Sequence, residues 1–267
     1  MRNAILAVLL LSAACATTTS TTAPSARLES TPRHDEWVQL DSAGRKLHAY
    51  VVYPQVSVPS GTIVVIHENR GLNDWARSVA DRLAERGYIA IAPDFLSGSA
   101  PGGGRTSGFA SEDAAREAIS KLPREQVLSD LQAAAAYVRA LPASNGKLAV
   151  VGFCWGGSRA WEAANLVDNL SATFVFYGTG PTTDEGVTGI DAPVYGFYGG
   201  DDARVNATIE PTRALMTKHG KTFEPVTYPG AGHAFMRAGE EPAATPANKE
   251  AHDASWERFV KLLHVLD

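Results

Sequence analysis

Cysteine is scarce in this chain: of 267 residues only Cys15 and Cys154 carry a thiol. Cys15 falls in the leader described below, so the folded part holds a single thiol and no disulfide to staple it. Its stability must then come from core burial. No cluster of Lys and Arg occurs either. With 24 basic against 29 acidic residues the net charge is −5, which leaves no electrostatic footprint for DNA or RNA and argues against a nucleic-acid partner. No apolar run reaches the roughly 20 residues of a membrane span; Ala4–Leu11 is far shorter. The spacing H-E-x-x-H is missing, so no metal is implied. Gly102-Gly-Gly104 lacks the strand-to-helix setting of a dinucleotide fingerprint, so no nucleotide and no other cofactor is implied.

What is present describes an exported globular protein. Hydrophobic residues make up 45% and charged residues 20%, enough to bury a sizeable core. Arg2, the apolar run Ala4–Leu11 and the small residues Ser12–Ala16 read as a secretory signal over residues 1–16. Cleavage before Cys15 would leave a lipidated N-terminus as a membrane tether, although Ser12 stands where lipoprotein signals usually carry leucine. Cleavage after Ala16 would release a periplasmic or secreted protein, and Ala14 and Ala16 satisfy that pattern. A Thr/Ser/Pro-rich tether follows over 17–35, and one domain over 36–267, expected to act as a monomer.

Within that domain the apolar pattern alternates between strand and helix. Strands are predicted over 37–40 and 46–53, joined by a turn, and then over 61–66, 88–92, 147–151, 172–177, 193–198 and 222–228. Helices are predicted over 72–86, 126–141, 156–169, 208–219 and 249–263. Continuous β-branched runs such as Gly61-Thr-Ile-Val-Val-Ile66 suit strands buried on both faces. The fold class is therefore α/β, a mostly parallel sheet with helices on both faces. Segments 97–112 and 179–191 break the rhythm at the strand ends where such sheets place ligands.

Gly152-Phe-Cys154-Trp-Gly156 directly follows the apolar run Lys147–Val151. It reads as a nucleophile elbow, G-x-Nu-x-G, with cysteine in place of serine. Glycines flank the nucleophile because the turn crowds the backbone, and the helix that follows directs its N-terminus at the thiol, favouring thiolate. The partners of such a nucleophile follow in the order acid, histidine. Tyr198-Gly-Gly-Asp201-Asp202 ends one predicted strand, and Gly230-Ala-Gly-His233 follows another. His233 would accept the thiol proton and an aspartate would orient the imidazole; spacing alone leaves Asp201 and Asp202 both open. Of the other histidines only His67 lies near this constellation.

These motifs, with Ile66-His-Glu68-Asn-Arg-Gly71, Gly87-Tyr-Ile-Ala-Ile-Ala-Pro93-Asp94 and Gly232-His233-Ala-Phe, resemble the dienelactone hydrolase (carboxymethylenebutenolidase-like) family over roughly Val38–Leu263. The resemblance implies an α/β-hydrolase fold with a small or absent cap, and hydrolysis of a carboxylic ester or lactone through an acyl-thioester. A general esterase or acyl-transferase with the same triad, and a non-catalytic binding lipoprotein that retains the fold, are the alternatives. The family spacing selects Asp202, which stands 48 positions after Cys154 and 31 before His233, and leaves Asp201 as a turn residue. It gives Glu68 a place beside the resting thiol, where it takes part in forming the thiolate; a helix-capping carboxylate is the simpler alternative. The oxyanion hole falls to the backbone N–H groups of Asn69 and Trp155. For a substrate carboxylate the resemblance points to Arg237 and, more weakly, Arg105. His67 and Arg70 depart from the best-known members, which leaves substrate preference open.

Overall fold

A computed structural model describes residues 23–267. The leader, Cys15 and most of the Thr/Ser-rich stretch therefore lie outside the described residues. Eight strands form one sheet: β1 (Asp35–Ser42), β2 (Arg45–Val52), β3 (Ser60–Ile66), β4 (Ile89–Pro93), β5 (Ser144–Phe153), β6 (Ala172–Phe176), β7 (Val194–Gly199) and β8 (Phe223–Tyr228). Their order across the sheet is β1-β2-β4-β3-β5-β6-β7-β8. β1 and β2 pair antiparallel through the turn at Ala43-Gly44, β2 meets β4 antiparallel, and β3 through β8 are parallel. This is the expected α/β-hydrolase sheet.

Nine helices connect and cover it: α1 (Pro24–Ser30), α2 (Asp74–Glu85), α3 (Glu112–Ser120), α4 (Arg124–Ala140), α5 (Trp155–Leu166), α6 (Ala203–Asn206), α7 (Ile209–Lys218), α8 (Phe235–Ala238) and α9 (Pro246–Leu262), counted among the described residues. Every residue of β3 is buried, and alternate side chains feed two cores. Ile63 and Val65 pack with Trp75, Val79 and Leu83 of α2 and with Trp256 and Phe259 of α9. Val64 and Ile66 pack with Val127, Leu131 and Val138 of α4 and Trp161 of α5. Period two in the strands and period 3.6 in the helices thus bury both faces at once.

Four helices were not expected: α1, α3, α6 and α8, the last a single short turn at Phe235–Ala238 just after His233. α1 lies inside the predicted tether and is held by charge: Arg27 and Arg33 both pair with the buried Asp81 of α2, at 2.6 and 2.8 Å. α6 is a single short turn after Asp202. α3 forms where the sequence reads as flexible; Ser111 caps it by accepting from the Ala114 N–H, and Ala115 and Ile119 fasten it to Leu96. Together with the 97–111 excursion, α3 supplies the small cap. No helix among the described residues is long and apolar enough to cross a membrane.

Candidate active site

Three strand ends deliver the site. β5 leads into α5 through Cys154, whose backbone sits at φ 56°, ψ −114°. A non-glycine residue with positive φ is strained by about 1–3 kcal/mol, and the surroundings must hold it there. They do so with hydrogen bonds from Cys154 N–H to the Phe176 carbonyl at 3.0 Å and from Ser158 N–H to the Cys154 carbonyl at 3.3 Å. The flanking glycines are sterically required. A Cβ on Gly152 would overlap the Gly156 carbonyl, and one on Gly156 would press on the backbone carbonyls of Ile66 and His67.

The acid follows β7 and the histidine follows β8. Gly199 lets the two loops meet, since a Cβ there would stand 2.6 Å from the carbonyl oxygens of Ala231 and Gly232. His233 Nδ1 lies 2.5 Å from Asp202 Oδ2, and His233 Nε2 lies 3.1 Å from Cys154 Sγ. Asp202 is buried, and its other oxygen accepts from the Val205 N–H to cap α6. Asp201 is exposed and makes a backbone bond to Ala231, a turn role. Burial alone would lower the His233 pKa. The hydrogen bonds with Sγ and Asp202, and their charges, outweigh it and hold the imidazolium up to about 9. His233 Nε2 thus stands within hydrogen-bond reach of the thiol as a positioned proton acceptor, with Asp202 orienting its other nitrogen.

Glu68, beyond the end of β3, is buried with both oxygens engaged. Tyr177 O–H donates to Oε1 at 3.2 Å and Arg237 Nε donates to Oε2 at 3.1 Å. Burial pushes its carboxyl pKa up, against the pull of Arg237. Glu68 therefore makes no hydrogen bond to Sγ in this arrangement, in which the thiol turns to His233. It does not cap α2 either; Asn73 does. Tyr177 went unnoticed in the sequence, where it reads as the last residue of a strand. Its φ of 41° turns the chain at the end of β6, and burial beside Glu68 and Cys154 raises its hydroxyl pKa well above the ordinary value.

A cavity of about 290 Å³ opens at Cys154, lined by Asn69, Trp155, Tyr177 and three arginines, Arg116, Arg159 and Arg204. The N–H groups of Asn69 and Trp155 find no acceptor among the described residues and are free for an oxyanion. The arginines differ from those expected. Arg237 faces Glu68 and Glu241 (3.1 and 2.7 Å). Arg105 lies in a separate cavity, its guanidinium 3.6 Å from the centroid of the Trp37 ring. The excursion that carries Arg105 folds back towards β1, so the guanidinium stacks there rather than at the thiol.

The sequence profile of the Dienelactone hydrolase family matches residues 47–266. The chain belongs to the dienelactone hydrolase family. Curated relatives named "Putative carboxymethylenebutenolidase" include one from Methylorubrum extorquens, 34% identical over 70% of this chain and 67% of its own length. Another, from Saccharolobus solfataricus, is 30% identical over 84% of this chain and 95% of its own. Among solved structures, that titled "Putative Dienelactone Hydrolase from Klebsiella pneumoniae subsp. pneumoniae MGH 78578" superposes with a TM-score of 0.74 at 27% identity, covering 86% of this chain and 98% of that one. Membership of the dienelactone hydrolase family makes the chain a hydrolase of ester or lactone type.

Proposed function

We propose that this protein hydrolyses a carboxylic ester or lactone through an acyl-thioester on Cys154. The observation that carries the reading is the unbroken line from Sγ to His233 to Asp202, at 3.1 and 2.5 Å, at the edge of a cavity. Sγ, as thiolate, attacks the carbonyl carbon. Its oxygen becomes an oxyanion facing the N–H groups of Asn69 and Trp155. Collapse of that intermediate expels the alkoxide, which takes the proton from imidazolium His233. A water then gives its proton to His233, attacks the thioester carbonyl and releases the acid and the thiolate. Asp202 keeps Nδ1–H oriented throughout.

Arg116, Arg159 and Arg204 around the cavity favour a substrate carrying a carboxylate, as a dienelactone does. Glu68, released from Arg237 and Tyr177, would be the carboxylate that disfavours a permanent thiolate, so ionisation waits for substrate. Glu68→Gln is expected to lower turnover with the fold intact, and unchanged kinetics would remove Glu68 from the mechanism. The leader implies export, with Cys15 as lipid anchor or with cleavage after Ala16; radiolabelled palmitate incorporation that depends on Cys15 distinguishes the two.

The test of the mechanism is a panel of nitrophenyl esters and lactones, dienelactone included, with wild type and Cys154→Ala. Cys154-dependent hydrolysis is expected, and kcat/KM across the panel names the substrate. Activity on simple esters with none on lactones would favour a general esterase. Thioester aminolysis or alcoholysis outrunning hydrolysis would favour an acyl-transferase. No Cys154-dependent turnover would favour a binding lipoprotein.

A further inference from the structure

His67 is fully buried (0% exposed) and the steps above give it no part. Its Nδ1 lies 2.7 Å from the carbonyl oxygen of Glu68. A carbonyl can only accept, so Nδ1 carries the proton and the ring is the neutral Nδ1–H tautomer. Burial favours that neutral form too, pushing the imidazolium pKa down. The ring cannot drift. Trp155 stacks on it at 5.6 Å with 17° between the planes, and Phe95 meets it edge-on at 5.3 Å. Nε2 is buried without a hydrogen-bond partner. A phenyl ring would occupy the same space with no orphaned nitrogen; what it would lack is the Nδ1 donor.

The acceptor of that bond matters. The Glu68 carbonyl and the Asn69 N–H belong to one planar trans peptide, so they point in opposite directions. Donation to the carbonyl by His67, assisted by the Gly71 N–H at 3.3 Å, fixes which way the N–H faces. Asn69 lines the cavity that holds Cys154, and its N–H has no acceptor among the described residues. Trp155, which carries the second free N–H, is the residue stacked on the same imidazole.

We propose that His67 is a positioning residue that locks the Glu68–Asn69 peptide, keeping the Asn69 N–H aimed at the oxyanion formed on Cys154. Resting on the cysteine mechanism proposed above, it adds a part that the triad does not contain. Loss of the Nδ1–H lets the peptide rotate and misaim one oxyanion donor. Removing such a donor outright lowers turnover by about 10²–10³, so misaiming it should cost about 10- to 100-fold in kcat.

The experiment compares wild type, His67→Phe and His67→Asn, the last placing an amide N–H near the position of Nδ1. For each, kcat and KM on nitrophenyl acetate, the rate of Cys154 alkylation by iodoacetamide, and Tm are measured. Alkylation reads the thiolate and its His233 partner but builds no oxyanion. His67→Phe is expected to lose kcat with KM and alkylation within about twofold of wild type, and His67→Asn to recover most of the loss. Wild-type kcat in His67→Phe, a parallel fall in kcat and alkylation, or a folded His67→Asn as slow as His67→Phe would each overturn the proposal. Should wild type and Cys154→Ala hydrolyse the ester equally, the cysteine mechanism fails. The Asn69 amide resonance then decides the peptide lock: a shift or broadening in His67→Phe, reversed in His67→Asn, supports it, and an unmoved resonance refutes it.

Discussion

At the scale of single residues the proposed chemistry rests on the line from Cys154 through His233 to Asp202. His233 has its imidazolium held up to about 9, above the ordinary value of 6.5, despite burial, because Sγ and Asp202 both hydrogen-bond it. Cys154→Ala removes one of these partners and is expected to lower the His233 pKa, as read by NMR titration of the ring. The sign for stability follows from linkage. A histidine whose pKa rises on folding stabilises the fold fully below about 6.5, and that contribution fades as pH climbs through about 9. Asp202→Asn is expected to cut kcat/KM by roughly 10² or more, through loss of tautomer control, and to lower the His233 pKa, while an amide oxygen can still cap α6. Cys154 and His233 were legible in the sequence because each stands in a short glycine-bearing motif at a strand end, whereas the motif at Asp201-Asp202 left both open and only the family spacing picked Asp202. Tyr177 was not legible, since its partner Glu68 is 109 positions away and no local pattern links them.

At the scale of elements, the elbow between β5 and α5 is the part most sensitive to a single methyl group. Gly156→Ala would drive Cβ into backbone carbonyls that close the parallel pair β3–β5, and these cannot yield as a flexible side chain could. The expected result is destabilisation by more than about 2 kcal/mol in urea unfolding, together with slower Cys154 alkylation. Beside the elbow, Phe176 of β6 stacks on Phe197 at 4.2 Å and on Phe153 at 4.8 Å, so Phe176→Ala should cost about 3–5 kcal/mol by the same measurement. Strands and long helices were readable because their periodicity extends over several turns or pleats. α3 has its own signal, Ser111 as N-cap before Glu112 and Asp113, yet the nearby Pro101-Gly-Gly-Gly104 run obscures it. α1 is held on the body by pairing with a buried carboxylate distant in sequence, so no local pattern announces its place.

At the scale of the whole molecule, stability depends on carboxylates buried between layers. Asp130 of α4 is buried beneath β1, accepting from Ser42 Oγ at 2.5 Å, with Arg45 at 3.3 Å. Burial, only partly offset by those two, raises its pKa from 3.8 to about 6. The folded state thus prefers the protonated carboxyl. The ionisation penalty is absent below about pH 3.8 and complete above about 6, on the order of 2–3 kcal/mol. Asp130→Asn, which cannot ionise, should gain about that much relative to wild type between pH 4 and pH 7, measured as the difference in urea-unfolding free energy. A difference independent of pH would show that Asp130 folds with an ordinary pKa.

The amino-acid sequence by itself determined the α/β alternation, the two antiparallel leading strands, the elbow cysteine, the histidine that follows it and the Asp201-Asp202 pair between them. Those features are written in periods, glycine spacings and chain order, which act over a few residues and survive without knowledge of the fold. Only the tertiary structure decided which arginines line the cavity at Cys154, that Glu68 is clamped by Tyr177 and Arg237, and that the His67 ring donates to the carbonyl of the peptide next to it. These depend on side chains from β3, β6, α3, α5, α6 and α8 meeting across long stretches of chain. Their contacts are set by packing of the layers, and no local pattern records them.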